Sequence, residues 1–464
     1  MTLLEPKDNP DEPKRALVLA GGGMRVAYQA GVLVALEEAN LAFHHVDGTS
    51  GGTINTAMLF SDNSPQQMCE RWSNLAIGDF VSFLPLTQYA NPLKMKAMGD
   101  ADGIVEKVFP QLGIEIARIN QPRKAIATFN VCNHSTKQNI AYTNDQARMS
   151  HLIAGISLPI FMPAVKIDGD FYTDSVWIKD ANLMEAVKRG AEEIILVWCI
   201  GNSHDFYDGA FLQYVHMIEL SANGTLLEEF DRIRELNQRI ANSDSPYGQR
   251  RPIQITLIKP NYPIPLDPDL YLGCINAKEL IAIGYQNAKK RLLNAAPNEM
   301  DWHATQMQEP HAHLYYRLQI EAKTEQGHWL QLHLRCHLYE LSAEKNLKSA
   351  PTEIFALLNW GETLDQLAAC DGSIRWSDSE QTPTRITLSF IKVGRSYRLQ
   401  LDFSKDHVDM VLIEVENEQV LDRLHCKIPR WSLFLSNKLQ VKGSGNFFTA
   451  AQWKWNFISR LLGA

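Results

Sequence analysis

Short apolar runs alternate with stretches of helical spacing from Arg15 to about Leu293. "RALVLA" (15–20) has the continuous apolar character of a buried strand and breaks into three glycines. "RVAYQAGVLVALEEAN" (25–40) spaces its apolar residues as a helix does, "FHHVDG" (43–48) predicts a second strand, and "TINTAMLF" (53–60) opens a second helix. "RKAIATFNVC" (123–132) and "KQNIAYTN" (137–144) predict two strands joined by a polar turn at 133–136. "AEEIILVWCIG" (191–201) is apolar throughout, as burial on both faces of a sheet requires. "RPIQITLIKP" (251–260) is a further strand and "NAKELIAIGYQNAKKRLL" (276–293) a closing amphipathic helix. This alternation predicts a mainly parallel α/β sheet.

The pattern then changes. After a polar, proline-marked stretch at 295–312, alternation of period two dominates in "HLYYRLQIEA", "HWLQLHLRCHLYEL", "TRITLSFIK", "SYRLQLDFS", "MVLIEVE" and "WSLFLSNKLQVKG". Such strands predict an antiparallel sandwich or barrel. "PTEIFALLNWGETLDQLAAC" (351–370) reads as one helical insert among them, and "TAAQWKWNFISRLLGA" (449–464) as a final aromatic and basic helix. That last helix fits either docking on its own domain or lying in a membrane interface. A chain of 464 residues exceeds one ordinary core, so two domains are expected: 14–294, and 313–464 after a linker at 295–312.

Composition narrows the function class. The net charge of −8 offers no basis for nucleic-acid binding, which leans on clustered Lys and Arg. Seven scattered cysteines without CxxC spacing support neither a disulfide framework nor a zinc site. A reduced, cytoplasmic setting fits them. The opening residues lack the apolar segment of a signal peptide. No run approaches the roughly 18 apolar residues of a spanning helix, so membrane contact is expected to be peripheral. Histidines 311, 313, 328, 333 and 337 cluster without acidic or cysteine ligands at matching spacing, and no metal is expected there.

Two glycine turns carry the candidate chemistry. Gly21-Gly22-Gly23-Met24-Arg25-Val26 follows a strand as a dinucleotide fingerprint would, but Val26 stands where that fingerprint needs its last glycine. Gly48-Thr49-Ser50-Gly51-Gly52 fits a nucleophile elbow, G-x-S-x-G, in strand–turn–helix context. If the two preceding strands are neighbours, both turns share one sheet edge, and glycine amides lie beside Ser50 to meet an acyl oxyanion. The serine also needs a base. His204 and His216 fall in suitable chain order, with His204 the better placed; His44 and His45 precede the elbow in its strand.

With "GGGMR" (21–25), "GTSGG" (48–52) and the later stretch "ISLPIFMPAVKIDGDFYTDSVWIKDANLMEAVKRGAEEIILV", the chain resembles the bacterial patatin-like phospholipases over about 14–294. The resemblance implies a three-layer α/β sandwich and a serine lipid acyl hydrolase working through an acyl-enzyme, without metal or cofactor. It implies Ser50 as nucleophile, Asp174 as base, Gly21, Gly22 and Gly23 as oxyanion hole, Arg25 as the brace of that loop, and Gly48 and Gly52 as the elbow's glycines. The substrates implied are phospholipids or related acyl lipids at a membrane surface. Two positions depart from the family: Val26 replaces a glycine after Arg25, and Ser175 replaces the glycine after the base. A non-catalytic lipid-binding or interaction protein on the same scaffold is the alternative, and the β-rich domain has no assigned partner. Asp168 and Asp170 read as turn formers around Gly169. The aromatic and Met-rich start of 75–120 fits either an acyl channel or lid, or ordinary core packing.

Overall fold

The computed structural model describes residues 3–7, 9–75, 82–83, 99–100, 104–200, 202, 206, 208–264, 275–294, 300–308, 312–341, 347–362, 367–377, 382–428, 438–444 and 447–462. His204, His311, most of the aromatic start of 75–120 and parts of the expected linker lie outside them. The chain divides into two compact units, residues 1–280 with 290–308, and residues 281–289 with 309–464.

The strands of the first unit are β1 (Arg15–Leu19), β2 (His45–Gly48), a two-residue pair β3 (Ser82–Phe83) and β4 (Gly99–Asp100), β5 (Ile126–Asn133), β6 (Gln138–Thr143), β7 (Val165–Ile167), β8 (Asp170–Thr173), β9 (Glu193–Val197) and β10 (Gln254–Ile258). Its main helices are α1 (Ala27–Glu38), α2 (Gly51–Phe60), α3 (Met149–Ile156), α4 (Leu183–Lys188) and α5 (Ala210–Ala241), and a further helix, α6 (Ala277–Leu293), follows β10 along the chain. Eight strands form one sheet in the order β10-β9-β1-β2-β5-β8-β7, with β6 also on β5. The pairs joining β10, β9, β1, β2 and β5 are all parallel, while β6, β7 and β8 add antiparallel pairs beyond them.

Both faces of this sheet are covered, as its unbroken apolar strands require. On one, Ala16, Val18, Ile194 and Leu196 pack with Leu183, Ala186 and Val187 of α4 and Leu226, Phe230 and Ile233 of α5. The alternating Leu17, Leu19, Ile195 and Val197 are buried too, and α2 packs on β1, β2 and β5. The expected α/β sandwich is therefore observed. The 32-residue α5 was not among the expected elements. Its signal is ordinary helical spacing, since Ala222, Leu226, Phe230 and Ile233 recur on one face.

Among the described residues, the second unit forms one antiparallel sheet of nine strands: β11 (His313–Lys323), β12 (Trp329–Leu338), β13 (Thr352–Gly361), β14 (Leu367–Arg375), β15 (Thr384–Lys392), β16 (Arg395–Ser404), β17 (His407–Glu414), β18 (Gln419–Lys427) and β19 (Leu439–Lys442). The strands follow one another as a meander from β11 to β18, and β19 returns beside β11. The sheet curls into a half-barrel. Asp422 of β18 accepts from Thr324 Oγ1 at 2.6 Å, beside the β11–β12 turn, and from Trp360 Nε1 of β13 at 3.3 Å, although several strands separate them in the sheet.

The expected helical insert at 351–370 is instead β13 and the start of β14. Residues 354–359 of β13 are all buried, so the strand lacks the alternation that would have identified it. The final helix α7 (Phe447–Leu461) docks on its own unit. Phe457, Ile458 and Leu461 enter the core of that sheet, with the Phe457 ring 5.6 Å from Tyr316 and 6.0 Å from Trp376. Phe447 and Phe448 at its start are exposed. Among the described residues no helix is long and apolar enough to cross a membrane.

Candidate active site

β1 and β2 are parallel neighbours, Leu19 standing opposite Gly48, so the two glycine turns leave the same sheet edge side by side. At the end of β2 the chain reverses sharply into α2. Ser50 takes φ 52° and ψ −128°, a left-handed backbone that costs a non-glycine residue on the order of 1–3 kcal/mol. The turn leaves no space at Gly52, where a Cβ would lie 2.0 Å from the Leu19 carbonyl oxygen. Ser50 is thereby presented at the N-terminus of α2, whose unpaired amides and dipole favour negative charge.

Asp174 arrives from the end of β8, which pairs antiparallel with β5. Ser50 Oγ donates to Asp174 Oδ2 at 2.6 Å, and both residues are buried. The other oxygen, Oδ1, accepts from the Val176 amide at 2.9 Å and caps a short 3₁₀ turn, Ser175–Trp177. Burial pushes the Asp174 carboxyl up to about 7, against the lowering effect of the Ser50 hydroxyl and the Val176 and Ser175 amides.

The glycine turn is held from three sides. Its first amide, Gly21 N–H, donates to Asp180 Oδ1 at 3.0 Å. Arg25 Nε donates to the Gly22 carbonyl at 3.0 Å, and Gln29 Nε2 to the Ala20 carbonyl at 2.6 Å. Burial, reinforced by Asp174, pushes Asp180 up to about 8, with the Gly21 amide and Arg25 opposing.

Behind the elbow lies a buried polar network that sequence reading missed. Asp47 accepts from Thr128 Oγ1 at 2.5 Å and from Asn130 Nδ2 at 2.7 Å, and Asn130 also donates to the Gly48 carbonyl at 3.0 Å. Asn139 and Asn182 both donate to Asn130 Oδ1, at 2.9 Å and 2.8 Å. Ser175 Oγ donates in turn to Asn139 Oδ1. Strand β2, strands β5 and β6, and the segment after Asp174 are thus tied to one another through side-chain amides. Only spatial adjacency reveals this, since the residues are up to some 130 positions apart.

The two departures at Val26 and Ser175 are accommodated. Val26 is fully buried, and its carbonyl accepts from Asn55 Nδ2 at 2.8 Å. Ser175 is fully buried with its hydroxyl bonded, and its φ lies outside the positive range that would call for glycine.

The other candidates are engaged elsewhere. His216 lies in α5 with Nδ1 3.2 Å from Glu219 Oε2, and His45 Nε2 is 2.8 Å from Thr128 Oγ1. Asp168 pairs with Arg148 Nη2 at 2.8 Å, and Asp170 accepts from Asn133 Nδ2 at 3.2 Å. Of the expected histidine cluster, His313 and His337 meet edge-on at 5.0 Å, whereas His328 pairs with Asp422 at 2.8 Å. Among the described residues, His407, Asp409 and His425 on the β17–β18 hairpin are the group whose ligand atoms lie close enough for a metal, within 4.8 Å. Asp409 Oδ1 is already 2.6 Å from His425 Nδ1, and Ser404 Oγ is 2.8 Å from His407 Nε2.

Residues 17–187 fit the family model described as patatin-like phospholipase. These residues are thus similar to the patatin-like phospholipases. The chain is 26% identical over 185 residues to the mouse and human proteins named patatin-like phospholipase domain-containing protein 6. That alignment covers 39% of this chain and 13% of each relative, so the chain spans a small part of their length. The crystal structure of VipD from Legionella pneumophila is 14% identical with a TM-score of 0.30, covering 63% of this chain and 69% of that one.

Proposed function

We propose that the patatin-like domain is a serine lipid acyl hydrolase that cleaves fatty-acyl esters of phospholipids or related lipids, acting peripherally at a membrane surface. The observation that carries this reading is the 2.6 Å hydrogen bond from Ser50 Oγ to Asp174 Oδ2 at a strained elbow. In the ionised form Asp174 takes the serine proton as Oγ attacks the acyl carbonyl, so no histidine is needed between them. A carboxyl raised to about 7 is a far better base than an exposed one and is still largely ionised just above neutrality. The Gly21 amide is committed to Asp180, which leaves the amides of Gly22 and Gly23, with the α2 N-terminus, for the oxyanion. Arg25 keeps that turn in place through the Gly22 carbonyl. Collapse of the tetrahedral intermediate breaks the ester C–O bond and returns the proton from Asp174 to the departing lipid alcohol. Water then attacks the acyl-Ser50 ester with Asp174 again as base, and on collapse the C–Oγ bond breaks as Asp174 returns that proton to Ser50 Oγ, releasing the fatty acid.

Fatty-acid release from vesicles of a phospholipid and lysophospholipid panel tests this reading. Ser50→Ala and Asp174→Asn are each expected to lower release by about a thousandfold or more while circular dichroism stays native. Undiminished release in Ser50→Ala, or none in folded wild type on any lipid, contradicts it; the latter with vesicle binding retained favours the non-catalytic alternative.

A further inference from the structure

Asp180 follows Asp174 by six residues, and both side chains are buried. Its Oδ1 accepts the Gly21 amide at 3.0 Å, while its Oδ2 is buried with no hydrogen-bond partner among the described residues. Gly21 is pressed between this carboxyl and the elbow: a Cβ there would lie 2.2 Å from Asp180 Oδ1 and 2.8 Å from Ser50 Cβ. The carboxyl therefore sits on the far side of one glycine from the nucleophile. The ionisable groups that act on it are Asp174, which opposes a second negative charge, and Arg25, which favours one. The Cys199 thiol also faces it and is itself held well above its usual range by burial. The adjacent Lys179 is turned away, toward Glu229 at 2.5 Å and Asn182 at 3.2 Å. A buried carboxylate with one oxygen unpartnered and a like charge nearby is costly, and holding the proton removes that cost.

We propose that Asp180 is a positioning residue that works with its proton on: as a neutral acid it anchors the glycine turn through Gly21, and as an anion it opposes the oxyanion that turn must hold. The two buried aspartates then carry one negative charge between them, on Asp174 as the base, with the proton on Asp180. The order of their shifts agrees, since Asp174 is raised to about 7 and Asp180 to about 8. A neutral carboxyl kept protonated near pH 7 by its site is an established device at oxyanion holes. Turnover rises as Asp174 ionises and falls as Asp180 ionises. The inference rests on the roles given to Ser50 and Asp174 above.

The test is the pH profile of ester turnover in wild type, Asp180→Asn and Asp180→Ala, joined to infrared difference spectra. Wild type is expected to lose about tenfold per pH unit above roughly pH 8. Asp180→Asn, with a neutral acceptor for Gly21, is expected to lose this alkaline limb while dropping no more than about tenfold at neutral pH; Asp180→Ala, lacking the acceptor, drops about a hundredfold at every pH. The part of the protonated-carboxyl carbonyl band that titrates near pH 8 should be present in wild type at pH 7.5 and missing from Asp180→Asn, leaving only the weaker part that Asp47 and Asp174 contribute. In Asp174→Asn the Asp180 band should persist but titrate at lower pH, a readout that survives if the Asp180 variants fold poorly. An alkaline limb unchanged in Asp180→Asn, equal losses in Asn and Ala, or no band difference overturns the proposal. If wild type turns over no ester, the Ser50–Asp174 reading fails, and the infrared bands alone decide where the proton sits.

Discussion

Three buried carboxyls at residues 47, 174 and 180 give the fold an unusual response to pH. Burial holds Asp47 and Asp174 up to about 7 and Asp180 up to about 8. Between the unfolded value of about 4 and these values, the folded chain keeps protons that the unfolded chain has lost, so stability falls as pH rises. Buried imidazoles act oppositely: burial drops His45 to about 3 and His313 to about 4, which makes stability rise with pH until unfolded histidines lose their protons near about 6.5. Above that point the carboxyls act without this opposition. The melting temperature is therefore expected to decline from pH 6.5 to 8, and to decline less in Asp180→Asn; scanning calorimetry showing a rise across that window would count against the assignment. At this scale the nucleophile was legible because Ser50 sits in a short glycine motif. Asp180 was not, because no motif marks it and its part shows only once its carboxyl is seen on the Gly21 amide.

At the scale of elements, the elbow depends on the close approach of β1 to the start of α2. With a Cβ at Gly52 only 2.0 Å from the Leu19 carbonyl oxygen, Gly52→Ala must displace the helix start or the strand end. A destabilisation of more than about 3 kcal/mol in urea titration is expected, in line with severe backbone clashes; a loss under about 1 kcal/mol would mean the turn is less constrained than its geometry implies. The strand–helix alternation made β1, α1, β2 and α2 readable because glycine turns separate short runs that are buried almost throughout. β13 was misread as helix because burial on both faces erased its period of two within a run long enough for a helix.

Across the whole molecule, the α/β unit owes its order to covered sheet faces and the β unit to a curled sheet filled partly by α7. Phe457→Ala, which empties a fully buried ring position, is expected to cost about 3–5 kcal/mol. Phe448→Ser, at an exposed position of the same helix, should change stability by less than about 0.5 kcal/mol. Urea unfolding followed by tryptophan fluorescence separates the two; equal effects would contradict the docking of α7. The period-two strands made an antiparallel sandwich or barrel legible, and the sheet is a curled half-barrel; the choice between the two was not legible, because contacts such as Asp422 with Thr324 and Trp360 join strands far apart in sheet order. The central claim, that Ser50 is an activated nucleophile, is tested most directly by intact-mass measurement after treatment with a fluorophosphonate. One adduct per chain, mapped to the peptide containing Ser50 and missing in Ser50→Ala, is the expected result. A folded wild-type chain that takes no adduct, or an adduct undiminished in Ser50→Ala, would contradict it.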